Sequence, residues 1–459
     1  MEWIPRHVVA IVGGAIAGSE AAYRLSQRGI CSVVFEQNAL PYGKIEDGLP
    51  MWHVKLRDQD ESKIDEKLTH PLVYFVPRVR LGNEIDFLDL VTHWGFSAVL
   101  LATGAWRDRP LPIAGIDNYI GRGLVYQNSL VHWFNHKHEP NYNGPHFEMH
   151  DNALIVGGGL ASLDVVKICM LETVLAALRK RGIATDLLTL EHETISKFLE
   201  HHQLTLQALG LQGCLLIYRR RTIDMPLADL PADASPERAQ KVYQAREKIL
   251  HNFQAKYLFR FMELTTPVDK IVESDRLVGL KLACTEIKNG QPKIVPGSEF
   301  EYRTPMVISS IGSVPEPIAG IPMDGELYKI RNLDTGQLEA FDHVFGLGNV
   351  VTGRGNIKAS LEHGRQVADL MMDEFLAWRD EDYQELLRRA GEIAGLRAER
   401  VIDFLATKKL LSADQIKSIM QRVQTLQQRV GYDGDYRKWI QQHKPVRYEE
   451  LIGWNPKHA

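Results

Sequence analysis

Val8-Val9-Ala10-Ile11-Val12-Gly13-Gly14-Ala15-Ile16-Ala17-Gly18 runs from a short apolar strand into a glycine-rich turn. A strand apolar on both faces is what a buried parallel sheet requires. Ser19 to Arg28 follows with helix formers and apolar positions at Ala22 and Leu25, and Gly29 stands where a helix C-terminus wants it. A second strand, Cys31 to Phe35, ends at Glu36. Strand, glycine turn, helix, strand and acid within about thirty residues is the context that a dinucleotide-binding unit demands.

The same order returns downstream. Ala153-Leu154-Ile155-Val156 reads as a strand, Gly157-Gly158-Gly159-Leu160-Ala161-Ser162 as a turn, and Leu163 to Met170 as the start of a helix. The next strand, Cys214 to Tyr218, ends on Arg219-Arg220-Arg221, and a helical insertion of two helices is expected between Glu172 and Gly213. Met306 to Ile311 and Val344 to Asn349 read as strands, and Ile357 to Glu374 as a helix. The expected architecture is α/β, with two Rossmann-like dinucleotide-binding domains, one inserted in the other, and a C-terminal helical extension. The boundaries fall at 1–110 with 310–375 for the first domain, 111–309 for the second, and 376–459 for the extension. There Ser412-Ala413-Asp414-Gln415 is a capping box, followed by apolar residues at helical spacing from Ile416 to Val430.

Composition narrows the class. The 459 residues are 44% hydrophobic and 24% charged, as in an ordinary globular protein. A net charge of −4 gives no footing for a nucleic-acid binder that relies on phosphate contacts. Cys31, Cys169, Cys214 and Cys284 are too scattered for a redox pair or a cysteine metal site, so no metal is expected and a reducing compartment is. No apolar run is long enough for a membrane span, and the chain enters its first strand too early for a signal peptide, which together predict a cytoplasmic protein.

The two glycine units differ in the residue type at the end of their second strand. A carboxylate at Glu36 accepts hydrogen bonds from ribose hydroxyls and repels a 2′-phosphate, which suits the adenosine half of FAD. Arg219, Arg220 and Arg221 offer guanidinium groups that clamp a 2′-phosphate, which suits NADP; a solvated surface run of charge is the plainer alternative.

At this point the sequence resembles the FAD-containing NADPH oxidoreductases of the adrenodoxin reductase and ferredoxin–NADP reductase type, and the related small subunit of glutamate synthase. Leu101-Ala102-Thr103-Gly104-Ala105 is similar to the group's A-T-G motif, Gly159 to Val166 to its G-N-V-A-L-D-V-A segment, and Tyr218-Arg219-Arg220-Arg221 to Met225-Pro226 to its Y-R-R…M-P. The stretch Leu124 to Asn135 and the strand end Val307 to Pro315 also match. The likeness covers about residues 6–375. Ala15 departs from it, standing where the second glycine is usual, and Asn349 stands where many relatives carry an aspartate.

The resemblance implies that flavin meets Gly13, Ala15, Gly18, Glu36, Gly43 and Gly48. It adds Val79, Thr103, Gly104, Gly348, Asn349 and Ile357 to the same site. NADPH would meet Gly157, Gly159, Ser162, Arg219 and Arg220. His53, in a loop like the one that brings a histidine close to the flavin, could handle protons, because an imidazole exchanges them near neutral pH; a surface-loop histidine is the alternative. Asp164 is expected in either a catalytic or a structural hydrogen-bonding role. The implied activity passes electrons from NADPH through FAD to a ferredoxin-like iron–sulfur protein. An electron-input subunit of a larger complex and a nucleotide-bound, non-catalytic interaction protein remain the alternatives, and the oligomeric state stays open. Arg78-Val79-Arg80 and Arg107 to Arg109 are candidates for a basic docking patch.

Overall fold

A computed structural model describes residues 6–228, 230, 234–352 and 380–454. Ile357, and the helix expected around it, lie outside the described residues. Two parallel sheets dominate. The first has seven strands, in the spatial order 330–332, 337–338, 344–346, 98–101, 8–12, 31–35, 73–76. Its five central and far-edge strands are parallel, and the first two join antiparallel at one edge. The second has five parallel strands in the order 124–126, 307–310, 154–157, 215–217, 260–262. Val8–Val12, Cys31–Phe35 and Ala98–Leu101 are buried throughout, so their almost wholly apolar sequence, broken only by Ser32, reflects cover on both faces.

In each sheet the glycine turn follows a strand whose two neighbours both come later in the chain and lie on opposite sides of it, the position where open α/β sheets form their binding crevice. An antiparallel sheet, built around the long strands Thr265–Glu273 and Arg276–Lys288, flanks the second.

The helical stretch after the second turn differs from expectation at its start. The helix Leu160–Lys180 runs straight through Glu172, because no Gly or Pro interrupts its apolar face before Gly182. Two short helices, Leu187–Glu193 and Ile195–His201, follow it.

The C-terminal region is tied down. Asp380–Ala406 is a 27-residue helix that lies along the helix Ile16–Gln27. A Cβ added at Gly391 would sit 3.6 Å from Ile16 Cγ2, and one at Gly395 only 3.1 Å from Glu20 Oε1. Two glycines one helical turn apart thus let the axes approach closely. The Ser412 capping box forms, and Ile416, Ile419 and Val423 enter the core beneath the first sheet. Trp439 and Tyr436 bury themselves on the other face, and Trp439 Nε1 donates to the Ala39 carbonyl.

Arg447 then reaches back to two buried carboxylates. Its guanidinium lies 2.5 Å from Glu46 Oε1 and 2.6 Å from Glu61 Oε1. Beside it Arg57 pairs with Glu449.

Candidate functional site

The C-terminal ends of both sheets open onto adjoining cavities. One, of about 190 Å³, is lined by Ala15, Ala17, Glu36, Val79, Thr103, Gly104 and Gly348 from the first sheet, and by Leu387 and Ala390 from the long C-terminal helix. Gly13 and Gly43 also border it. The other, of about 980 Å³, is lined by Gly157, Gly158, Gly159, Ser162, Arg219 and Gly312 among others. Lys44 and Ala105 border both, so the cavities abut.

Each glycine in the first turn has a local cause. Gly13 has φ +99°, and a Cβ there would meet the Ala102 carbonyl at 2.4 Å. A Cβ on Gly18 would lie 1.8 Å from the Gly13 carbonyl oxygen, so Gly18 serves the packing of helix on strand rather than ligand contact. Ala15 replaces the glycine whose bare Cα usually faces the ligand, and its methyl projects toward Gly43: a Cβ at Gly43 would come within 2.9 Å of it. Glycine at 43, with φ +52°, makes room for the alanine. Gly48 has ordinary backbone angles and follows the short helix Lys44–Asp47.

Glu36 is buried at the cavity wall. Its Oε2 accepts the Gly14 N–H at 2.8 Å and its Oε1 the Asn38 N–H at 2.9 Å. Burial, only partly offset by these bonds, pushes its carboxyl up to about 7. Each oxygen keeps a lone pair for a further donor such as a ribose hydroxyl. The glycine turn and this carboxylate fit the adenosine half of a flavin dinucleotide. Gly348 has φ +63°, and the short helix Asn349–Thr352 starts immediately after it.

The second turn is organised differently. A Cβ at Gly157 would meet Ser162 Oγ at 2.2 Å, whereas one at Gly159 meets only Pro226 at 3.9 Å, leaving open space for a ligand at that position. Ser162 Oγ donates to the Ser310 carbonyl at 3.0 Å, and its N–H to the Gly159 carbonyl at 3.0 Å. Both its polar hydrogens are therefore used within the protein, and Ser162 secures the turn rather than offering a hydroxyl donor to the nucleotide. Of the three arginines, Arg219 lines the large cavity, while Arg221 is held by Asp224 at 2.9 Å. Arg220 is not among the residues that line that cavity.

Between the sheets lies a buried polar cluster. His53 is 6% exposed and stands at the residue before the helix Val54–Leu68, and its burial removes the surface-loop alternative. Its ring packs edge-on against Tyr383, with centroids 4.9 Å apart, and Tyr383 donates its hydroxyl to Asp164. Burial pushes the Asp164 carboxyl up, while His53, Tyr383 and Lys167 pull against that shift. Lys167 pairs with Glu191 and lies 4.2 Å from the centre of the Trp52 ring. Asn135 Nδ2 donates to the Glu46 and Leu49 carbonyls, at 2.8 and 2.9 Å, and so fixes the loop that carries His53.

Sequence reasoning missed Tyr383 and Lys44. Tyr383 lies in a helix with no motif of its own. Lys44 comes directly after a glycine whose role emerges only in three dimensions. Its ammonium contacts Asn128 and Ser313 at 3.4 and 3.3 Å, and burial lowers its pKa. Of the proposed docking arginines, Arg107 is exposed, while the others have partners. Arg80 pairs with Glu316 at 2.6 Å, Arg109 with Glu326 at 2.9 Å, and Arg78 packs over the Trp439 ring. Among the described residues, no helix is long and apolar enough to cross a membrane.

No family model matches the chain. The NADPH-Fe(3+) oxidoreductase subunit beta of Geobacter sulfurreducens is 26% identical over 324 residues, covering 67% of this chain but only 37% of that protein. The mitochondrial NADPH:adrenodoxin oxidoreductase of Arabidopsis thaliana is 23% identical over 360 residues, 72% of each. Cindoxin reductase of Citrobacter braakii is 30% identical over 162 residues, about a third of each chain. Among solved structures, FprA of Mycobacterium tuberculosis in complex with NADPH superposes with a TM-score of 0.66 over 93% of this chain and 91% of its own, at 19% identity. In sequence the chain is adrenodoxin reductase- and ferredoxin–NADP reductase-like, and in fold it is like FprA.

Proposed function

We propose that this chain is an NADPH-dependent FAD oxidoreductase that passes electrons to a ferredoxin-like iron–sulfur protein. One observation carries the reading: two glycine turns, each at the C-terminal end of a parallel sheet, face adjoining cavities, one bordered by the buried Glu36 and the other by Arg219. The names of the relatives support the same chemistry. In this reading a bound FAD would supply two-electron acceptance from NADPH and one-electron release; the protein would position the reactants and shape their electrostatics.

Glu36 would hold the adenosine ribose of the flavin and disfavour a 2′-phosphate there. The peptide N–H groups after Gly157 would face the pyrophosphate of NADPH, at the positive end of the helix Leu160–Lys180. Arg219 would engage the 2′-phosphate. Lys44, which borders both cavities, would place a positive charge where the two nucleotides approach each other. Asp164 and His53, buried together under Tyr383 and lining neither cavity, would hold or move a proton within the protein interior.

The decisive experiment is a visible spectrum of the purified protein before and after anaerobic NADPH, followed by ferredoxin reduction. A flavin spectrum that NADPH bleaches, with turnover on ferredoxin, is expected. A preparation that takes up no FAD, or a flavin that NADPH leaves oxidised, overturns the reading. A purified large partner that is required for turnover would favour the electron-input subunit instead.

A further inference from the structure

The helix Gln127–His136 presents His132 and His136 one turn apart, and both imidazoles face Asp47 at the end of the short helix Lys44–Asp47. His136 Nε2 lies 3.1 Å from Asp47 Oδ1, and His132 Nε2 lies 3.9 Å from the same atom. One donor atom from each of the three residues falls within 4.8 Å of the others. Ligands at about 2.0–2.1 Å around a tetrahedral ion sit roughly 3.3 Å apart, so Asp47 and His136 already stand at ligand spacing and His132 has to move inward to complete the set. It can: its side chain is 46% exposed, whereas Asp47 and His136 are 15% and 12% exposed.

A further contact distinguishes this cluster from histidines that merely neighbour an acid. The other ring nitrogen of His136, Nδ1, lies 2.6 Å from Glu139 Oε1. A carboxylate on the far nitrogen fixes the ring, sets the tautomer and raises the donor strength of Nε2, which is how metal-bound histidines are usually backed. We propose that Asp47, His132 and His136 form a binding site for a divalent transition-metal ion, with Glu139 orienting His136 from behind. Two imidazoles and one carboxylate form a borderline donor set, suited to Zn²⁺ or Co²⁺ rather than to Mg²⁺ or Ca²⁺. Three protein ligands leave a fourth position for water.

The placement suggests what the ion does. Asp47 belongs to the segment between Gly43 and His53, in the part of the chain that forms the first sheet. His132 and His136 belong to the helix that follows the first strand of the second sheet. A metal here would fasten the two sheets' elements together beside the Asn135 hydrogen bonds, which already hold the same loop. It would hold these elements together with its fourth position left to water, and it is independent of the nucleotide chemistry proposed above.

The test uses the tag-free full-length protein, treated with EDTA, dialysed and titrated with ZnCl₂ in a calorimeter, with metal content measured after desalting. One ion per chain is expected, together with a melting temperature that rises with Zn²⁺, because a ligand that binds only the folded state stabilises it. His132→Ala should abolish both effects, while leaving the contacts of His136 with Asp47 and Glu139 in place and the fold intact. Glu139→Gln should weaken binding about 10- to 100-fold without eliminating it. His201→Ala, a change at an exposed histidine elsewhere, should bind as the unaltered protein does. Absence of saturable Zn²⁺ binding, or binding that His132→Ala leaves intact, overturns the proposal and identifies the cluster as an ion pair of His136 with two carboxylates.

Discussion

Replacing Arg447 with Met removes the cation that Glu46 and Glu61 share but keeps most of the side chain's apolar bulk. Arg447 is 13% exposed, and its partners 9% and 2%, so the interaction is shielded from water. Breaking a buried ion pair by deleting one partner costs about 3–5 kcal/mol, because a charge is left without compensation. Lys444, 3.3 Å from Glu61 Oε2, offsets part of that charge and places the expected loss near the lower end, at about 3 kcal/mol. For large domains each kcal/mol moves the melting temperature by about 2–4 °C, so the apparent Tm should fall by about 6–12 °C. The pH dependence comes from Glu61. Burial raises it to about 7, despite the opposing pull of Arg447, and the charge of Glu46 adds to the rise. A carboxyl raised in the fold favours the folded state when protonated and loses that contribution as pH climbs through its folded pKa. Without Arg447 the penalty for ionising Glu61 grows, so the deficit should be largest at pH 8.5 and shrink toward pH 5.5. Calorimetric melts at the two pH values measure this. A Tm change below about 2 °C at pH 8.5, or a deficit of equal size at both, refutes the reasoning.

Three other outcomes are expected. Arg219→Ala should lose about ten- to a hundred-fold in kcat/KM with NADPH but little with NADH, the size of a charge-assisted contact to phosphate worth about 1.5–3 kcal/mol; an equal loss with both nucleotides would count against its assigned place. Gly18→Ala should yield protein that takes up no FAD and melts earlier, because the new Cβ would lie 1.8 Å from a backbone oxygen; a normal flavin spectrum would contradict this. Tyr383→Phe removes a hydrogen bond that lowers the Asp164 pKa, so the limb of the pH–rate profile governed by that acid should move to higher pH, and an unmoved profile would exclude Asp164 from the proton path.

The strand, turn and helix at 8–27 and the turn at 157–159 were legible because their sequence pattern is local: an apolar run, a cluster of glycines, then helix formers; the contacts that demand glycine at 13 and 157, from Ala102 and Ser310, are distant in sequence. The Ser412 capping box is readable for the same reason. What stayed hidden depends on residues distant in sequence. Nothing near Ala15 announces that Gly43 makes room for its methyl. Nothing near Asp164 announces Tyr383, which arrives from a helix more than two hundred residues later. The spacing of His132 and His136 is visible in the sequence, but their shared carboxylate at Asp47 is not. The arginines of the suggested docking patch show the converse. Their charge is plain in the sequence, and the fold neutralises Arg80 and Arg109 with glutamates that no local pattern pairs with them.

The helix Asp380–Ala406, laid across the first nucleotide turn, has a consequence for the order in which the chain matures. The second sheet draws its strands from one continuous stretch, 124 to 310, and can close as soon as that stretch leaves the ribosome. The first sheet cannot. Its strand Val344–Gly346 and the helix that covers Ile16–Gln27 are made only after the second sheet is complete, so the first nucleotide turn waits for them. At about 5–20 residues per second the interval from residue 310 to residue 406 lasts roughly 5–20 s. During that time the apolar flank of Ile16–Gln27 lacks its partner, and a nascent chain stalled near residue 350 should be cut by protease within its first hundred residues while the second sheet survives.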